Sequence, residues 1–229
     1  MTQITQQTFD FLSALEANNN REWFNQNKPI YEASRQEVVS FADELLQLMN
    51  EGDVIKNESG KKSIYRIYRD VRFSKNKAPY KTYWGGFFNR LGADRRGGYH
   101  FQVQPGNSFV MGGFFGPNSE DLLLLRQQLD ADAEPLRTVL KSKAFTSYFG
   151  ELLGDRVKTA PKGFKKDNEN IDLIRHKQFL IKHTFTDQEV LSRNFVKKIA
   201  EGLLHMLPFF EVMTGYLTTD LNGISLIDR

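Results

Sequence analysis

The run from Tyr99 to Phe115 constrains the fold more than any other part of the chain. Tyr99, Phe101 and Val103 alternate with His100, Gln102 and Gln104. In extended backbone that alternation puts the rings and the valine on one face and the polar groups on the other. Pro105-Gly106-Asn107 supplies a turn, and Ser108 to Phe115 continues as a second strand, so the pair reads as a β-hairpin. Gly112 and Gly113 lie inside the second strand, where a missing side chain leaves room for a close neighbour.

The flanks have helical period. Thr5 to Ala17 places Phe9, Leu12 and Leu15 on one face before Asn18-Asn19-Asn20 stops it, and Arg21 to Asn25 reads as a short turn of helix carrying Trp23 and Phe24 as core residues. Pro29 suits the first turn of a longer helix whose stripe is Tyr31, Val38, Ala42, Leu45 and Met49, closed by Gly52. After the hairpin, Asn118 is an N-cap with Asp121 three residues on, ahead of Leu122, Leu125 and Leu129. Pro135 opens another short helix, and Phe145, Phe149 and Leu152 a third that Gly154 ends. Residues 155–170 form a polar loop, and Gln178 to Phe185 alternates as a strand. Thr186 and Glu189 form a capping box for a helix through Leu191, Phe195, Ile199 and Leu203, and Phe209 to Leu221 is the last helix. Helices, then strands, then helices predict an α+β fold: a mainly antiparallel sheet from the middle of the chain, packed by amino- and carboxy-terminal helices. One domain spans 1–229, with residues 186–229 open to reading as a helical subdomain.

Across Lys61 to Trp84 the character changes. Lys61, Lys62, Arg66, Arg69, Arg72, Lys75, Lys77 and Lys81 face a single acid, Asp70, with Tyr65, Tyr68, Phe73, Tyr80, Tyr83 and Trp84 threaded among them. Ser63 to Phe73 reads as a strand with Arg66, Tyr68, Asp70 and Arg72 on one face and Ile67, Arg69, Val71 and Phe73 on the other. Ser74 to Pro79 is loop, and Tyr80 to Asn89 resumes a strand in which Gly85 and Gly86 permit a bulge or close approach. Guanidinium forks and lysine charges on one element suit a phosphate or carboxylate guest. The bland alternative is internal pairing, but one nearby acid cannot neutralise so many cations. Arg69, on the apolar face, requires a partner, which an internal carboxylate would supply.

The whole chain carries a formal charge of only +3 over 229 residues, too mild by itself to imply nucleic acid. It has no cysteine, which removes disulfides, thiolate nucleophiles and Cys-bound zinc. The opening MTQITQQTFD lacks the basic and apolar regions of a secretory signal, and no apolar run is long enough to span a bilayer, so a cytoplasmic protein without a membrane partner is expected. No His-Glu-x-x-His, phosphate-loop or dinucleotide fingerprint occurs, so no metal and no cofactor is expected. Ser74 to Lys77 fits Ser-x-x-Lys, but that chemistry needs a helix start and companion motifs that are missing. His100, on the polar face of its strand, and Asp70 are the candidates for moving protons, against the plainer reading of His100 as a hydrogen-bonded strand histidine.

The run RDVRFSKNKAPYKT, Arg69 to Thr82, resembles the signature of a family known as domain of unknown function 2461. Phe11 to Glu32, Gly97 to Asn118 and Ala160 to Phe179 resemble its amino-terminal, middle and later blocks, so the resemblance covers most of the chain. Asp167-Asn168-Glu169 stands where family members often show Asp-His-Pro, and no histidine role carries over there. The resemblance implies a bacterial-type cytoplasmic protein with no assigned reaction. Lys162, Arg175 and Lys177, from the later block, join the anion-binding candidates Arg66, Arg69, Arg72, Lys77 and Lys81 on resemblance and charge.

Three functions compete. The favoured one is a pocket for a phosphate- or carboxylate-bearing small molecule, with any enzymatic step unspecified. Nucleic-acid binding, through phosphate contacts and tyrosine stacking, is disfavoured by the mild charge. A protein-interaction module would use the glycine-rich strands and abundant phenylalanine. Oligomeric state is not specified by the residues.

Overall fold

The computed structural model of the chain describes residues 2–227. Its first elements are α1 (Gln6–Ala17), α2 (Arg21–Gln26), α3 (Lys28–Met49) and the single turn α4 (Gly60–Ser63). The sheet strands are β1 (Trp84–Asn89), β2 (Gly98–Val103), β3 (Ser108–Phe114) and, after α5 (Ser119–Ala131), α6 (Glu134–Lys141), α7 (Lys143–Phe149) and α8 (Ile171–Ile174), β4 (Phe179–Phe185). The chain continues through α9 (Asp187–Val190), α10 (Phe195–Leu204) and α11 (Leu207–Thr218). The fold is α+β, with one antiparallel four-stranded sheet in the order β1-β2-β3-β4.

The expected hairpin is β2 and β3. Tyr99, Phe101 and Val103 are fully buried, as their alternation requires. Gly113 has φ +135° and lies against β4, where a Cβ would fall on the Phe179 carbonyl; only glycine fits. Gly86 in β1 passes so close to the Phe101 ring and the Ser63 carbonyl that a side chain would collide with both.

The chain divides into two compact units. The first comprises residues 1–89, 100–110 and 184–204, and the second residues 90–99, 111–183 and 205–229. The stretch 186–229 is therefore shared between them. In the first unit α3 is the central helix, with Val38, Phe41, Ala42 and Leu45 fully buried. α1, α2, α4 and α10 pack on it. Phe41 stacks on Phe195 of α10 at 5.6 Å and lies 6.2 Å from Phe101 of β2. In the second unit α11 packs on α5 and α6, and Phe210 meets Tyr99 edge-on at 4.9 Å and Phe114 at 6.1 Å.

Caps fall where the sequence predicts. The Asn118 side chain accepts from the Asp121 amide at 2.8 Å, and Thr186 and Glu189 close a reciprocal box. Two helix boundaries differ from expectation. α7 ends at Gly150, φ +76°, not at Gly154, because Leu153 leaves the helix to pair with Leu180. The helix expected through Leu191 breaks into α9 and α10: the Ser192 hydroxyl donates to the Glu189 carbonyl at 2.6 Å and bonds Asn194 Oδ1 at 2.8 Å, closing a local turn.

The largest correction concerns Ser63 to Phe73, which forms no strand. Ser63 closes α4, and the chain beyond it bends at Ile67, pairing with the 80–86 segment at two isolated bridges, Ile64 with Gly86 and Tyr68 with Tyr80. Between them four steps along one arm span six along the other. The excess is a bulge around Thr82 and Tyr83, and it prevents a continuous ladder. Pro79 also offers no amide donor. Phe73, expected on the apolar face, is 95% exposed at the tip.

Candidate functional site

The two arms, 64–69 and 79–86, form a bulged ribbon pinned to the amino-terminal helices. Lys81 donates its amide to the Ile67 carbonyl at 2.7 Å, and Arg69 donates its own to Pro79 at 2.8 Å. Asn19, just past α1, clamps Tyr80 twice: its Nδ2 donates to the Tyr80 carbonyl at 3.0 Å and its Oδ1 accepts the Tyr80 amide at 3.1 Å. Beneath lies an aromatic stack. Phe24 is parallel to Tyr80 at 4.0 Å and tilted against Tyr31 at 4.9 Å, and Tyr31 stacks on Trp84 at 5.8 Å. Phe24 is core as expected, whereas Trp23 is only half-buried.

Two clefts open along this ribbon, and the basic residues divide between them. The first, about 450 Å³, is lined by Arg69, Lys81, Thr82 and Tyr83 with Asn76 and Asn19. Arg69 is half-buried, donates to the Ala78 carbonyl at 3.0 Å and reaches Ser74 Oγ at 3.5 Å. Lys81 Nζ donates to the carbonyls of Arg66 and Tyr68, the latter at 2.9 Å. The partner that burial demands of Arg69 is thus backbone oxygen, not the internal carboxylate weighed from sequence. Burial, and then the Arg69 charge, push the Lys81 ammonium below its ordinary pKa. Burial raises the Tyr83 hydroxyl, with Arg69 opposing. Glu16, exposed, also borders this cleft. The second cleft, about 490 Å³, lies among α3, α4 and the first arm, and Arg66 lines it.

Arg72 and Lys77 line neither of these two clefts. Arg72 is paired with Asp70 at 2.6 Å on the exposed tip, and that bond holds the Asp70 carboxyl below its usual range. Lys77 Nζ caps the Val71 carbonyl at 3.0 Å. Ser74 and Lys77 share this irregular tip and no helix. Lys162, Arg175 and Lys177 belong to the second unit. There Lys162 is exposed, Arg175 donates to the carbonyls of Val157 and Lys158 at 2.7 and 2.6 Å, and Lys177 lies 4.0 Å from Asp155.

His100 is half-buried, stacked on Tyr65 at 5.7 Å with Nδ1 3.3 Å from the Tyr65 hydroxyl. Burial pushes its pKa down to about 4, against a hydrogen bond with the Gly86 backbone. It is neutral at pH 7. His183, on β4, is half-buried and stacks on Tyr148 at 3.8 Å. Among the described residues no group of histidines and carboxylates is arranged to hold a metal, and no helix is long and apolar enough to cross a membrane.

A family model described as a conserved hypothetical protein, DUF2461, matches residues 7–211. The chain belongs to the DUF2461 family. No curated protein and no solved structure matches it. The DUF2461 signature resemblance, Arg69 to Thr82, supplies Arg69, Asn76, Ala78, Tyr80, Lys81 and Thr82 to the first cleft. Asn19 and Glu16, not singled out from sequence, lie within the amino-terminal DUF2461 block, which was the signal available for them. Arg35, in the second cleft, lies on α3 just beyond that block and carried no signal of its own.

Proposed function

We propose that this DUF2461 protein binds a small molecule bearing a phosphate or carboxylate, and that the cleft of Arg69 and Lys81 receives it. The observation that carries the reading is two neighbouring cations, both partly withdrawn from water and both bonded to neutral carbonyls. Backbone oxygens satisfy donors but leave the charge uncompensated, so an anion entering the cleft gains from both. Burial first, and the Arg69 charge second, lower the Lys81 pKa, as expected for an ammonium with no counter-charge bonded to it. Tyr83 and Thr82, turned by the bulge, add hydroxyls for orientation. A neutral His100 and an Asp70 tied to Arg72 provide no poised acid or base, so the reading stops at binding. A reducing, cytoplasmic setting suits a chain without cysteine.

The test is a thermal-shift and calorimetric titration with inorganic phosphate, pyrophosphate and citrate. At least one should stabilise the wild type, and Lys81→Met should weaken that binding by roughly tenfold or more, the worth of one charge-assisted hydrogen bond. If none of the three anions binds, or if Lys81→Met binds them as well as the wild type, the reading fails.

A further inference from the structure

The second cleft differs in kind. Tyr31 and Arg35 lie one turn apart on the same face of α3, Lys61 and Lys62 come from α4, and Arg66 and Tyr68, exposed on either side of the buried Ile67, come from the first arm. Among the described residues neither the Arg35 nor the Arg66 side chain makes a hydrogen bond or an ion pair, so both forks are available. Lys62 is tied to Glu58, yet Arg35, Lys61 and Arg66 still meet only Glu32 among the lining residues. Tyr68 is 55% exposed, and its ring is braced edge-on by Phe24 at 6.0 Å and tilted against Tyr80 at 5.5 Å. The ring is therefore oriented by packing while much of its surface stays open.

We propose that this cleft is a second, separate site, which takes a phosphate monoester joined to a planar ring: a nucleoside monophosphate or a ligand of the same chemistry. Arg35 and Arg66 grip the phosphate oxygens as bidentate forks, Lys61 adds charge at the rim, and the ring of the guest stacks on Tyr68. A volume of about 490 Å³ is within the range of pockets for ligands of this size. The first cleft has cations braced on carbonyls and no comparably open ring, so the planar half of the ligand is specific to the second.

The full chain is titrated calorimetrically with AMP, ribose 5-phosphate and adenosine, and hydrogen exchange maps the bound AMP. AMP should bind more tightly than either half. Arg66→Met, an exposed position where folding is not at stake, should weaken AMP and ribose 5-phosphate alike by tenfold or more. Tyr68→Ala should weaken AMP by roughly tenfold and leave ribose 5-phosphate unchanged. Exchange protection should fall on residues 31–35 and 61–68. AMP no better than ribose 5-phosphate, indifference to Arg66→Met, or protection confined to 76–83 would each overturn the proposal. So would an oligonucleotide that binds far more tightly than AMP with a steep salt dependence, the mark of a polymer site. The first cleft is judged separately, by the phosphate and citrate titration of Lys81→Met.

Discussion

His100 shows how one residue's environment sets its use. On β2 it faces away from the core, yet the Tyr65 ring and Phe109, 5.5 Å away, remove it from water and push its pKa to about 4. An unfolded chain protonates this imidazole near pH 6.5, so between pH 6.5 and about 4 the unfolded state holds the extra proton. Stability should therefore be full above pH 6.5 and fall as the pH drops toward 4, by up to about 2–3 kcal/mol from this group. His176, pushed down by burial, acts in the same direction. Denaturant titrations at pH 7 and 4.5 check this, and His100→Gln should make the loss shallower. Phe73 is the opposite case. Its ring is almost wholly exposed beside the Arg72 guanidinium, 5.8 Å away. Phe73→Ala should change folding stability by less than about 0.5 kcal/mol, as expected where nothing is buried.

At the scale of elements, the ribbon depends on contacts distant in sequence. Its bulge leaves Tyr80 paired at one bridge, and Asn19 supplies the missing backbone partners on the other side. Asn19→Ala should cost about 1–2 kcal/mol by denaturant titration and weaken the proposed anion binding in the first cleft, because Tyr80 and Lys81 lose their anchor. Between β3 and β4 the tolerance is smaller. Gly113→Ala adds a methyl where φ is +135° and the Phe179 carbonyl blocks the space. A loss of about 2–4 kcal/mol is expected, read from the unfolding midpoint.

Over the whole molecule, the chain passes five times between its two units, so neither is a continuous segment. A fragment ending at residue 185 loses α10, whose Phe195 stacks on Phe41, and should lack the fixed side-chain NMR signals of a packed core. The overall charge of +3 is modest, while eight basic residues and one acid are gathered between Lys61 and Lys81. The sequence alone determined the features set by short-range periodicity and local chemistry: the β2–β3 hairpin, the helical stripes, the Asn118 and Thr186 caps, and Lys61 to Trp84 as the segment bearing charge and rings. A ribbon bulge leaves no such trace, because Thr82 and Tyr83 are ordinary strand residues whose extra length shows only once both arms are paired. The separation of Arg66 from Arg69 and Lys81, the bracing of Lys77 and Lys81 on carbonyls, and the arrival of Arg35 and Asn19 were decided by tertiary structure alone. Each depends on which distant backbone oxygen or ring comes within a few ångströms, and no spacing along the chain encodes that distance.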